Sequence, residues 1–222
     1  MNLPRKKMGA SPVFARVAPF VIFLLLTCAQ GLFGEASRYW FYLAKTLIGA
    51  WLVWEMRPLV SEMRWAVSWE AIAVGVAVCV MWVGVNGLYP KFGQPGTAWN
   101  PRSQFGGSLA LAWLFIAARI LGSSLVVPPL EEVFYRSFLY RWFVRTDFQN
   151  MLFSRFHPTS FIVTSVLFGF EHYQWLAGIL CGFAYQWLVV RKNRLGDAMT
   201  AHAITNFLLG LWVVWKGDWQ FW

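Results

Sequence analysis

Apolar positions arrive along this chain in blocks rather than at amphipathic spacing. Val17–Phe33 and Ala71–Tyr89 contain no charge, and Gly107–Val127 holds only Arg119. Blocks near 20 residues match the thickness of a bilayer's hydrocarbon core. The pattern predicts spans over Val17–Phe33, Tyr39–Trp54 (with Lys45 placed to snorkel), Ala71–Tyr89 and Gly107–Val127. Pro128-Pro129 predicts a break, because proline suits the first turn of a helix and not its interior. A new helix is expected from about Leu130 to Arg145. It mixes Glu131, Glu132, Arg136, Arg141 and Arg145 with Phe, Leu, Tyr and Trp, which suits a short, tilted or partly inserted element. Thr159 or Ser160 is positioned to cap a helix reaching His172. Leu176–Val190 and Ala198–Trp215, the latter capped by Asp197, complete the set. The expected fold is all-α: a polytopic transmembrane bundle of about 7–8 helices around a buried polar site.

Composition excludes the soluble alternative. Of 222 residues 58% are apolar and 13% charged, against about 25% charged in a soluble domain. A soluble chain of this size fully buries about one or two such helices, not five. One membrane domain, 1–222, is expected, with N-terminal transmembrane helices over 1–106 and a catalytic core over 107–215. The first run is too long, and too plainly followed by others, for a cleaved signal peptide, so it reads as a retained span. The net charge of +9 would suggest nucleic acid in a soluble protein. Here it fits basic cytoplasmic loops, so the expected partner is the lipid bilayer and not nucleic acid. Arg5-Lys6-Lys7 predicts a cytoplasmic N-terminus. Arg141, Arg145, Arg155 and the Arg191–Arg194 cluster fall on that same side if the Glu131 segment adds no crossing of its own. Cys28, Cys79 and Cys181 lie in apolar runs without metal spacing and read as small buried hydrophobes.

Ionisable residues inside membrane segments are costly and by default suggest a functional site. Glu132 and Arg136 are four apart, acid first, on one helix face; Glu131 points about 100° away, without that partner. An interfacial salt-bridged helix is the bland alternative. His172 ends an apolar helix beside Glu171, where taken alone an interfacial or hydrogen-bonded histidine is the more frequent case. His202 and Asn206 share a face of an apolar span, where interhelical hydrogen bonding is the alternative. Taken together, a spare carboxylate and a histidine can hold and deprotonate a water. A second histidine with an asparagine offers donors to a developing oxyanion.

Those residues carry a family resemblance. Pro-Pro-Leu-Glu131-Glu132-Val-Phe-Tyr-Arg136, then Phe168-Gly-Phe-Glu-His172, then His202-Ala-Ile-Thr-Asn206 resemble, in order, the three motifs of the type II CAAX prenyl endopeptidases and their bacterial relatives, the CAAX-protease and bacteriocin-processing (Abi, or CPBP) family. The resemblance covers about 107–215. It implies an intramembrane glutamate-type endopeptidase in which Glu131 is the general base, His172 helps it activate water, and His202 and Asn206 stabilise the oxyanion. Glu132 and Arg136 would brace the site and Phe168 would pack beside it. It implies a membrane-protein or lipidated-peptide substrate and, for a chain with almost no soluble part, a bacterial inner membrane. Two positions depart from the family: Ser137 where glycine is frequent, and Glu171 where a small or apolar residue is usual.

Two histidines and two glutamates could bind zinc, but the helical signal His-Glu-x-x-His is absent. A metal-free site without cofactor is the expectation, with zinc the lesser alternative. The functional rivals are a non-catalytic membrane scaffold or bacteriocin-immunity protein, which would tolerate Glu131→Gln, and a small transporter, for which no half-helix repeat speaks. Substrate identity, cleavage site and oligomeric state are not legible in the chain.

Overall fold

The computed structural model describes residues 11–30, 32–91 and 98–222; the Arg5-Lys6-Lys7 cluster lies outside them. The described residues form a helical bundle without strands: α1 (Pro12–Ala29), α2 (Ser37–Met56), α3 (Trp69–Val85), α4 (Leu109–Val144), α5 (Pro158–Phe170), α6 (Trp175–Lys192) and α7 (Gly196–Lys216). Helices satisfy their own backbone groups, which lipid cannot do. Helices α1, α4 and α7 are long and apolar enough to cross a membrane, and α3 and α5 are shorter apolar helices. Serines start three of them: the side chains of Ser11, Ser68 and Ser108 accept from the backbone N–H three residues on, a standard N-cap.

The expected break at Pro128-Pro129 does not occur. Helix α4 runs for 36 residues straight through both prolines, so two expected helices become one. It does so by widening to π geometry twice, over Gly122–Val126 and Val133–Leu139. The Val127 N–H donates to the Gly122 carbonyl, five residues back. In that register Pro128 would be the donor to Ser123, and it has no N–H. The wider turn accommodates the rings at the start of the next α-helical turn, Val127–Glu132. Single π turns inside helices recur at functional sites, and here two of them bracket Glu131 and Glu132.

Two caps also differ. Helix α5 begins at Pro158 with His157 as its cap, Nδ1 accepting from the Ser160 N–H at 3.3 Å. Proline at the first position needs no N–H, which moves the start ahead of Thr159. Helix α7 begins at Gly196, placing Asp197 inside its first turn, where it accepts from Ser68 Oγ at 2.5 Å and from Arg194 Nε at 2.5 Å.

Polar contacts sort the two ends of the bundle. At the end where α1 begins, Glu62 of the α2–α3 connection accepts from Arg16 (2.7 Å), from Arg141 (3.0 Å) and from Ser137 Oγ (2.5 Å). Lys192 meets Glu70 at 3.1 Å, and the Ser154 N–H meets Asn193 at 2.9 Å at the same end. Because α4 is a single helix, Arg141 and Arg145 share this end with Arg191–Arg194. At the other end Arg119 lies over the rings of Trp99 (4.7 Å), Tyr42 (4.8 Å) and Trp222 (5.5 Å), and Trp175 Nε1 donates to the Pro90 carbonyl.

Helices α5 and α6 cross closely. A Cβ at Gly169 would lie 2.6 Å from the Ile179 nitrogen and 2.8 Å from the Trp175 carbonyl, and one at Gly182 would lie 2.9 Å from the Ser165 backbone. Small residues permit such contact where no hydrophobic effect drives helices together in lipid.

Candidate active site

The three motifs, 75 residues apart from Glu131 to Asn206, converge where α4, α5 and α7 meet. Glu132 is completely buried, Arg136 is 1% and His202 3% exposed. Glu132 has two charged or polar neighbours: Oε1 accepts from His202 Nδ1 at 2.9 Å, and Oε2 is in ion-pair contact with Arg136 Nε at 3.3 Å without a hydrogen bond of its own. Because the carboxylate accepts, Nδ1 of His202 carries a proton and Nε2 is left pointing elsewhere. It points at Glu131, whose Oε2 is 3.9 Å away. That gap exceeds hydrogen-bond reach, and this Glu131 oxygen, in a residue 7% exposed, has no hydrogen-bond partner. Adjacent carboxylates on one helical turn therefore do different things. One is spent on an arginine and an imidazole, and the other is held open beside that imidazole.

Phe168 joins the second motif to the first. Its ring lies under the Arg136 guanidinium at 4.2 Å, beside the His172 ring at 5.0 Å and edge-on to His202 at 6.0 Å. His172 sits just past the end of α5, against Trp82 of α3 at 5.4 Å. Its Nδ1 lies 2.9 Å from the Phe168 carbonyl. A carbonyl only accepts, so Nδ1 donates and Nε2 keeps a lone pair in the neutral ring. Among the described residues no hydrogen bond or ion pair joins His172 to Glu131; Phe168 links His172 to Arg136 and His202.

Asn206 lies one turn beyond His202 on α7. Its Nδ2 donates to the Ser123 carbonyl at 2.8 Å, the carbonyl that Pro128 leaves without a backbone donor. One amide hydrogen is thus used to tie α7 to the first π stretch of α4, and the second is not used in that contact.

Residue-by-residue reasoning missed four participants. Tyr185 of α6 stacks on His202 at 5.1 Å, and its hydroxyl donates to Thr205 Oγ1 at 2.7 Å. Thr205 in turn donates toward the Gly75 carbonyl of α3 at 2.9 Å. Tyr135, the aromatic before Arg136, donates to Glu171 Oε2 at 2.9 Å. Ser137 supplies the hydroxyl to Glu62. Tyr135 carried a signal in its place beside the motif arginine, and Ser137 in its departure from the family's glycine. Among the described residues no three His, Cys, Asp or Glu side chains are grouped to hold a metal ion.

A family model described as type II CAAX prenyl endopeptidase Rce1-like matches residues 112–208. That stretch contains Glu131, Glu132, Arg136, Phe168, His172, His202 and Asn206 in one domain. The chain is an integral membrane protein whose 112–208 segment is similar to this Rce1-like protease family. No curated protein and no solved structure matches the chain.

Proposed function

We propose that this protein is an intramembrane endopeptidase that hydrolyses a peptide bond of a membrane-associated or lipidated protein or peptide, using water activated by Glu131. One observation carries the reading. Glu131 keeps a buried carboxylate oxygen without a partner, next to an imidazole that Glu132 orients. A fully satisfied salt-bridge network would have no use for such a group, since an unpaired buried carboxylate is costly.

The chemistry follows from the donor and acceptor roles. Glu131 takes a proton from water, and the hydroxide adds to the substrate carbonyl. His172, with its Nε2 lone pair, is the second acceptor and helps align the water. The oxyanion is met by the remaining amide hydrogen of Asn206, with the His202 ring, oriented by the Glu132 carboxylate through Nδ1–H, lining the same space. Collapse of the adduct breaks the C–N bond, and the proton held by Glu131 passes to the leaving amine. Arg136 holds Glu132 in place and Phe168 packs the three motifs together. The reaction needs no metal or cofactor in this scheme.

The basic end of the bundle is assigned to the cytoplasm by the positive-inside tendency, with the membrane in question a bacterial inner membrane. The competing reading, a scaffold or immunity protein of the same family, predicts that Glu131→Gln is silent. Mapping protein ends in membranes of cells carrying wild type or Glu131→Gln separates the two.

A further inference from the structure

Glu171 is not required by the scheme above, and it departs from the family pattern. It lies at the end of α5, next to His172, and is exposed. Its Oε2 accepts from the Tyr135 hydroxyl at 2.9 Å. Tyr135 is four residues from Glu131 on α4, on the same face one turn along, and packs edge-on to Phe168 at 5.3 Å. The Tyr135 hydroxyl thus fixes the Glu171 carboxylate at the rim of the candidate site.

Charge does not balance there. Of the three carboxylates, Glu132 is matched by Arg136. Among the described residues no Lys or Arg is within ion-pair distance of Glu131 or of Glu171. Lys45, a buried cation of α2, donates to Thr27 Oγ1 at 3.0 Å and lies over the Tyr42 ring at 4.7 Å. Glu131 is spent on the water. Glu171 is an exposed carboxylate beside His172, with one oxygen held by the Tyr135 hydroxyl.

Resting on the endopeptidase reading, we propose that Glu171 is a specificity-determining residue that selects substrates with a Lys or Arg close to the scissile bond. An ammonium or guanidinium on the substrate would pair with Glu171 and leave Glu131 free as base. An acidic residue there would meet uncompensated like charge. Charge complementarity of this sort acts on selection, both by attraction and by repulsion of the wrong partner. A charge-assisted hydrogen bond in a partly desolvated site supports a preference of about tenfold.

The test maps new protein ends in membranes of cells expressing wild type, Glu131→Gln, Glu171→Gln or Glu171→Lys at matched levels. Wild-type-specific ends flanked by Lys or Arg, with enrichment lost in Glu171→Gln and reversed toward Asp or Glu in Glu171→Lys, support the assignment. Glu171→Gln is nearly isosteric and keeps the test valid if the lysine variant does not accumulate. Wild-type-specific ends without basic enrichment, or with the same enrichment in Glu171→Gln, overturn the assignment and leave the endopeptidase reading standing. No difference between wild type and Glu131→Gln overturns both.

Discussion

Nδ1 of His202 donates to Oε1 of Glu132 across 2.9 Å, joining the C-terminal helix to the middle of the 36-residue helix α4. This contact fixes which nitrogen of His202 remains available, and so gives the neighbouring Glu131 its surroundings. It ties Glu132 to the C-terminal helix, whereas Oε2 of Glu131 has no hydrogen-bond partner.

The first prediction follows from that division. Glu132→Gln removes the charge that both Arg136 and His202 face and leaves a buried guanidinium unpaired. A loss of about 3–5 kcal/mol is expected for breaking such a pair, read as a clear drop in the unfolding midpoint of the detergent-solubilised protein. Glu131→Gln is expected to leave stability within about 1 kcal/mol while abolishing proteolysis. Equal midpoints for the two variants would contradict the assignment of roles.

The crossing of α5 and α6 gives a second. Gly169 precedes the Phe170-Glu171-His172 end of α5, and a Cβ there meets Ile179 and the Trp175 carbonyl. Gly169→Ala forces the helices apart and should destabilise by about 1–3 kcal/mol, displacing His172 with them. Proteolysis then falls further than stability alone accounts for. A fully stable, fully active Gly169→Ala protein would show that the crossing is looser than described.

Glu62 gives a pH dependence. Burial works against its ionised form, but the Ser137 hydroxyl and the Arg16 guanidinium outweigh burial and hold its carboxyl below the ordinary value of 4.5. A carboxyl whose folded pKa is depressed stabilises the fold above its unfolded pKa and loses that contribution as pH falls through the folded one. Wild type should therefore exceed Glu62→Gln in unfolding midpoint near neutrality, with the gap closing as pH drops below about 4.5. A gap independent of pH would mean that packing, not charge, is what the carboxylate supplies.

Membrane orientation yields a fourth. The three interior connections carrying Arg57 and Arg64, Arg141 to Arg155, and Arg191 to Arg194 gather at the end where α1 begins. The C-terminus leaves α7 at the opposite end. Reporter fusions should place that C-terminus outside the cytoplasm, and a fusion reporting from the cytoplasm would reverse the orientation assigned here.

Much of this was readable in the chain. Uncharged blocks gave the spans, because lipid imposes length and polarity so strictly. The i to i+4 spacing of Glu132 and Arg136 gave their ion pair, since that contact lies within one helix. The proline pair misled: Pro128-Pro129 reads as a helix stop, and nothing local announces that π turns let α4 continue. Tyr185 against His202, Asn206 against Ser123 and Ser137 against Glu62 were invisible for a common reason. Each joins helices distant in sequence, and a side chain's partner across a bundle depends on packing that no spacing rule encodes.

The central claim is that Glu131 activates water for peptide-bond hydrolysis. The most direct measurement compares protein ends in membranes from cells expressing wild type or Glu131→Gln at equal abundance, with both proteins shown to unfold at the same temperature. Ends present with wild type and absent with Glu131→Gln are the predicted result. Identical sets of ends, from an equally stable variant that retains the cellular phenotype, would contradict the claim and leave a binding protein built on a protease fold.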